Sequence, residues 1–400
     1  MTRIAQRLSA VKPSASMAAS QAARELAATG VDVIDLGLGE PDFATPAYIT
    51  EAAFAASRGQ RILYTAAGGT VALRQAIADK FRRENGLEYA IDEITTANGA
   101  KQIIFNALLA TLNAGDEVIL PAPYFVSYPE MTKLLGGVPV MPACSAADGF
   151  RLTPALLESC ITPRSKWLLL NAPGNPSGAT YSMEQLQALG MVLDAHPHIM
   201  VLSDEIYEHI IFDGRPFVSF AAACPQLRDR VLTVNGVSKA YAMTGWRVGY
   251  AGGPRDMITA MNTVQSQSCT SVCTVAQHAA LAALSGPQED VQRFCAAFEK
   301  RRNLVVNAIA HIPGLTLAAP EGAFYAYIDC TNCIGRKTIT GEVIADDAGF
   351  AHYLLHHAHV ATVPGAAYGL SPFFRISTAT SKEVLLEALR RIEVAVTCLI

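Results

Sequence analysis

Several polar residues in this 400-residue chain stand where short apolar runs end. Lys239 follows "LTVNGVS", Asp204 closes "IMVLS", and Asn175 lies in "NAPGNPSG" just after "KWLLL". Tyr207 comes three residues after Asp204, and Arg247 eight residues after Lys239, beside Gly245-Trp246. In "ITTANGAKQIIF", Gly99, Ala100 and Lys101 stand at the entrance to a helical pattern. A lysine drawn partly out of water beside a second cation has a lowered pKa and can form a Schiff base. A helix entrance offers unpaired backbone N–H groups and a positive dipole end, and an arginine such as Arg247 can grip the same phosphate.

A buried aspartate can hold a protonated pyridine nitrogen, and a tyrosine and an asparagine can hydrogen-bond a phenolic oxygen. Together these groups meet the requirements of pyridoxal 5′-phosphate. Each residue alone has a plainer reading. Asp204 suits a helix N-cap, Tyr207 and Phe125 suit core aromatics, and Arg375 in "PFFRIST" suits a sheet-edge charge.

Such groups need a scaffold. Apolar runs over 116–123, 166–173, 199–205, 230–236 and 246–253 alternate with helical patterns over 70–85 and 100–113. Continuously apolar strands between helices predict an α/β fold, with a buried, mainly parallel sheet covered by helices on both faces. Ligands in such sheets bind beyond the carboxyl ends of the strands, where the polar residues above fall. From about residue 290 the texture becomes α+β: a long helix, strand-like "LTLAAP" and "AFYAYIDC", a helix around 344–357, "PFFRIST" and a final helix. The first 45 residues start with a helix and then a crossing segment, "VDVIDLGLGEPDFATP". The expected division is a large domain over 46–290 and a discontinuous small domain of 1–45 with 291–400.

Composition narrows the function. A hydrophobic fraction of 51% with 16% charged residues suits a chain with a large buried core. The net charge of −4 and the lack of a long basic run argue against nucleic-acid or membrane partners. The N-terminus has no continuous apolar core, so no secretory signal is expected, and the cytoplasm is the default location. Cys330 and Cys333 form a lone C-x-x-C without a second pair, read as reduced buried thiols rather than a metal site. His352 and His356 share a helix face and read as cations near a helix C-terminus.

In order and spacing, "LSAVKPSASM", "LGLGEPDFATP", "LYTAAGG", "NGAKQ", "PAPYFVSYPEM", "NAPGNPSG", "SDEIYEHI", "VSKAYAMTGWRVGY" and "FFRIS" cover nearly the whole chain. In them the sequence resembles the class I, fold-type I pyridoxal-phosphate aminotransferases, close to the prokaryotic aspartate aminotransferase subgroup. The resemblance implies a seven-stranded-type large domain with Lys239 as the Schiff-base lysine and proton carrier. It implies Asp204 on the pyridine nitrogen, and Asn175 and Tyr207 on the phenolic oxygen. Phe125 would stack on the ring, where many relatives have Trp. Gly99, Ala100, Lys101, Ser238 and Arg247 would surround the phosphate, joined by Tyr64 from the other subunit of a homodimer. Arg375 would grip the substrate α-carboxylate, with Gly39 and Asn175 close by.

For the substrate side chain, the resemblance places Lys101, Ser14 and Ser16 on a distal carboxylate, with Lys12 near. Aspartate would then donate the amino group to a 2-oxo acid such as 2-oxoglutarate. Val272 and Cys273 stand where relatives often carry Asn-Pro, and Phe125 alters the pocket roof, which leaves aromatic or broad substrates open. Two rivals are a carbon–sulfur β-lyase of the same fold and a non-catalytic sensing protein.

Overall fold

The computed structural model describes residues 3–58 and 61–400. Its strands are β1 (Ile34–Asp35), β2 (Ile94–Ala97), β3 (Glu117–Ile119), β4 (Val138–Val140), β5 (Ser165–Asn171) and β6 (Met200–Asp204). They continue as β7 (Val231–Gly236), β8 (Gly249–Gly252), β9 (Tyr325–Asp329), β10 (Val360–Ala361), β11 (Val363–Pro364) and β12 (Phe373–Ser377). A seven-stranded sheet runs in the order β2-β8-β7-β6-β5-β3-β4. Strands β4, β3, β5, β6 and β7 pair in parallel, while β8 is antiparallel to both of its neighbours.

The apolar strands are apolar because both faces are covered. Along β5, Leu168 and Leu170 enter one hydrophobic cluster, while Trp167 and Leu169 enter another on the opposite side. That alternation is the two-residue period of a strand, here with helices on either face. The flanking helices include α3 (Val71–Lys80) and α4 (Ala100–Thr111), whereas α1 (Ala15–Ala27) packs on β1, β10 and β11, and α2 (Ala47–Ser57) on the helix Thr274–Ser285. A second, three-stranded sheet has the order β11-β12-β9, and β1 pairs in parallel with β10. Leu36, next to β1, shares one apolar cluster with Ile309, Phe350, Phe374 and Ile392. Among the described residues no helix is long and apolar enough to cross a membrane.

The helix expected over 70–85 is present, α-helical from Val71 to Lys80 and continuing as a π-helical turn, Phe81–Asn85, that ends at Gly86 with φ +66°. Two expectations from periodicity need correction. The strand expected over 246–253 begins at Gly249, because Thr244–Trp246 is a 3₁₀ turn and Arg247 adopts φ +57°. "LTLAAP" forms no strand; Thr316 makes a single bridge to Asp329.

Candidate functional site

Strands β5, β6 and β7 end side by side, with Asn171 opposite Asp204 and Asp204 opposite Val234. The segments leaving them converge on a cavity of about 290 Å³. It is lined by Ser14, Ser16, Gly39, Ala100, Lys101 and Phe125. Asn175, Asp204, Tyr207, Ser238, Lys239, Arg247 and Arg375 also line it; of the expected set, Gly99 and Tyr64 are not among the lining residues. Residues more than 300 positions apart thus share one space.

Lys239 Nζ donates to the Gly39 carbonyl at 2.6 Å. Burial, helped by the Arg375 and Arg247 cations and opposed by Glu40 and Asp204, brings its amine down to about 8. An appreciable fraction is therefore neutral near physiological pH, the state a nucleophile needs. Asp204 moves the other way. Burial pushes its carboxyl up to about 6, although Tyr128 donates to Oδ2 at 2.6 Å and the Ile206 N–H to Oδ1 at 3.3 Å. A buried carboxylate with few donors favours a cationic partner.

Gly99 is the N-cap of α4 at φ +87°, a conformation L side chains rarely adopt. A Cβ there would collide with the Arg247 guanidinium. That guanidinium donates to the Thr244 and Asn98 carbonyls at 2.9 and 3.0 Å, which fixes it beside the opening turn of α4. The arrangement puts a cation and the first N–H groups of a helix at one end of the cavity.

At the other end Arg375 is buried in β12. It donates through Nη1 to Asn175 Oδ1 at 3.1 Å and through Nη2 to the Gly37 carbonyl. Its Nε has no partner among the described residues. The sheet-edge reading is therefore wrong: β12 is the middle strand of its sheet, and the charge faces the cavity. The tyrosine rings of Tyr325 and Tyr368 lie 4.5 and 5.3 Å from its Cζ.

Lys101 Nζ lies 5.2 Å from the Phe125 ring centroid, and burial, then Arg247, lowers its amine pKa. Ser14 occupies the N-cap position of α1 without making a side-chain cap, so its hydroxyl remains available at the cavity wall. Tyr64 does not join this cavity. It is 88% exposed, in a stretch held by Thr274 Oγ1 on the Leu63 carbonyl. Val272 is buried in the core and Cys273 is the N-cap of the helix Thr274–Ser285; neither lines the cavity.

Four contributors were not singled out in the sequence. Tyr128 orders Asp204, and Asn171 bonds both the Asp204 carbonyl and the Asn175 N–H. Tyr325 bonds Tyr207, and Glu40 lines the cavity near Lys239. Tyr128 stands three residues from Phe125, in the first turn of the helix Ser127–Leu134 that Phe125 precedes, and the two rings meet edge-on at 5.4 Å. Cys330 and Cys333 are buried and donate to the Pro372 and Gly314 carbonyls, and burial pushes both thiols up. They are not poised thiolates. The His352 and His356 rings lie 4.2 Å apart, and neither lines this cavity.

The family model for aminotransferase class I and II matches residues 31–392. The chain is 53% identical over 393 residues to the aspartate/prephenate aminotransferase of Cereibacter sphaeroides, covering 98% of each chain. It is 51% identical to an aspartate aminotransferase of Rhizobium meliloti, covering 98% of this chain and 95% of that one. The crystal structure of an aspartate aminotransferase from Rhizobium meliloti superposes with a TM-score of 0.98 at 50% identity, over 100% of both chains. The aspartate aminotransferase of Thermus thermophilus with maleate superposes at 0.92 and 41% identity, over 99% of this chain and 100% of that one.

Proposed function

We propose, for a chain that belongs to the class I and II aminotransferases, that the cavity around Lys239 holds pyridoxal 5′-phosphate and moves an amino group from aspartate to a 2-oxo acid such as 2-oxoglutarate. The protein is a pyridoxal-phosphate-dependent transaminase. Kinship with transaminases does not favour the lyase or sensing alternatives. The observation that carries the reading of the site is the placement of three charged groups around one cavity: the half-buried Lys239 amine and the buried Asp204 carboxylate and Arg375 guanidinium.

The residues fit the cofactor. The glycine at 99 leaves the space beside Arg247 that a phosphate needs, and Ser238, Ala100 and Lys101 border it. Asp204, short of donors, suits a pyridinium nitrogen. Asn175 spends its Oδ1 on Arg375, which leaves its amide N–H to donate to a phenolic oxygen beside Tyr207. When bound, the cofactor supplies the electron sink for the pair released as the substrate α-C–H bond breaks.

The chain's own groups do the rest. Arg375, with Gly39 and Asn175 beside it, fixes the α-carboxylate and so aims the α-C–H bond. Lys239 Nζ takes the α-proton as general base and returns it as general acid, a task suited to an amine near 8. Phe125 covers the ring face. Lys101, Ser14 and Ser16 read the distal carboxylate, a reading supported by a relative that binds maleate, itself a dicarboxylate. Release of the first oxo acid before the second enters makes the reaction ping-pong.

A second acceptor class is prephenate or an aromatic oxo acid. It is favoured by the Phe125 ring beside Lys101 and by the name of the Cereibacter relative. We also propose the division into 46–290 and 1–45 with 291–400, which the packing of Leu36 among residues beyond 300 supports. A homodimer with Tyr64 reaching the partner's phosphate site accounts for the exposed Ile62, Leu63 and Tyr64 side chains. Nine free cysteines suit the reducing cytoplasm.

The test is a half-reaction screen. The cofactor-loaded protein is mixed with each amino acid in turn, while the visible absorption and the released oxo acid are followed. Aspartate is expected to exceed alanine by about tenfold or more in kcat/KM. Equal rates for aspartate and alanine would remove the distal-carboxylate assignment; no conversion by any amino acid would remove the reading of the site.

A further inference from the structure

Tyr325 is buried on β9, 2% exposed, and belongs to none of the roles above. In the antiparallel register Arg375 pairs with Tyr327, so Tyr325, two residues along, lies diagonally across from Arg375 on the same face. Its ring centroid is 4.5 Å from the Arg375 Cζ. Its hydroxyl is 2.7 Å from the Tyr207 hydroxyl. It also stands where a side chain on residue 39 would be, since a Cβ on Gly39 would run into the Tyr325 oxygen. One side chain therefore touches both the carboxylate-gripping arginine and the tyrosine assigned to the phenolic oxygen.

Two hydroxyls at this distance share one hydrogen bond, and its direction matters. Tyr207 can donate to the phenolic oxygen only if its own proton points there. The Tyr207 oxygen must then accept from Tyr325. A cation over the Tyr325 ring makes that hydroxyl the better donor of the two. The other charged and titratable groups facing this pair are Glu40, Asp204, Lys239 and Tyr368.

We infer that Tyr325 is a positioning residue with two separable tasks: its hydroxyl donates to Tyr207 and aims the Tyr207 proton at the cofactor, and its ring supports Arg375 in the grip on the substrate α-carboxylate. This inference rests on the proposed cofactor site.

The two tasks predict different losses in the holoenzyme. Tyr325→Phe keeps the ring and removes the donor. Its kcat should fall about three- to tenfold with KM within about twofold. The pH midpoint of the bound cofactor's visible absorption should rise by about half a unit to one unit, because a phenolic oxygen with a weaker donor is more basic. Tyr325→Leu also removes the ring, and KM for the amino acid should rise about tenfold further. In a Tyr207→Phe background, Tyr325→Phe should shift the midpoint no further. A midpoint and kcat unchanged in Tyr325→Phe overturn the inference, as do additive shifts in the double variant. Failure of the unaltered protein to take up the cofactor overturns the site reading itself, which separates the two failures.

Discussion

Tyr207 and Glu208 are neighbours in sequence and are both buried, yet they face two different polar regions. On one side lies the cavity of Lys239, Asp204 and Arg375. On the other, Glu208 accepts from Lys80 Nζ and, at 2.7 Å each, from the amides of Asn85 and Asn235. In the second region charge meets charge and the carboxylate oxygens are filled. Although burial opposes it, Lys80 and then His209 keep the Glu208 carboxyl below its ordinary range. In the first region Asp204 has one phenol and one backbone N–H, and its carboxyl is pushed up. Arg375 there keeps an Nε without a partner among the described residues. A buried polar group costs stability unless it is partnered. The region that meets its own demands holds the chain in shape, and the region that does not is built for something that arrives.

Glu205 qualifies the rule. Ser203, Ser219 and the Phe220 N–H all donate to its Oε1, while Oε2 has no partner among the described residues. Burial, then Glu208, pushes its carboxyl up to about 8, which favours the protonated form over a bare charge. Its protonation answers the same demand that Lys80 answers for Glu208. The Glu84, Glu208 and His209 ligand atoms lie within 4.8 Å of one another, but Lys80 already supplies the cation there.

The contrast can be broken by paired substitutions. The largest effect is expected from Lys239→Ala, with turnover lost by roughly 10⁴-fold or more and the melting temperature of the apo-protein unchanged. Kinetics and calorimetry on one preparation check both halves. Lys80→Met should do the reverse. It leaves Glu208 buried without its cation and should cost about 3–5 kcal/mol in urea unfolding. Holoenzyme that survives should turn over at nearly the normal rate. A Lys80→Met variant of normal stability would erase the distinction between the regions. The smallest effect concerns pH. Only the neutral Lys239 amine can attack the cofactor aldehyde, so uptake by apo-protein should quicken as pH rises, with a midpoint near 8. Stopped-flow absorbance would show the midpoint; one near that of an ordinary lysine, above 10, would mean that the amine is not desolvated.

Much of this was legible in residue order. The apolar runs ending at Asn171, Asp204 and Gly236 are recognisable because a sheet covered on both faces admits few polar residues before its edge. Lys239 and Asn175 stand just past such edges, Asp204 is the last residue of its run, and Arg247 lies in the turn that leads into β8. Tyr128 and Tyr325 were hidden because an aromatic in an apolar context reads as core, and only a partner's position gives its hydroxyl a purpose. Arg375 was ambiguous for the opposite reason. A charge in a strand pattern reads as an edge until the strand is seen in the middle of its sheet.

The chain by itself determined the alternation of strands and helices and the chemical inventory at the strand ends, because both follow from local periodicity and residue type. Tertiary structure alone decided which of the buried charges are answered and which are left open. Asn175 meets Arg375 and Tyr207 meets Tyr325 across 200 and 118 residues. Electrostatic demand depends on distance and burial in space, and neither is encoded in a neighbour along the chain.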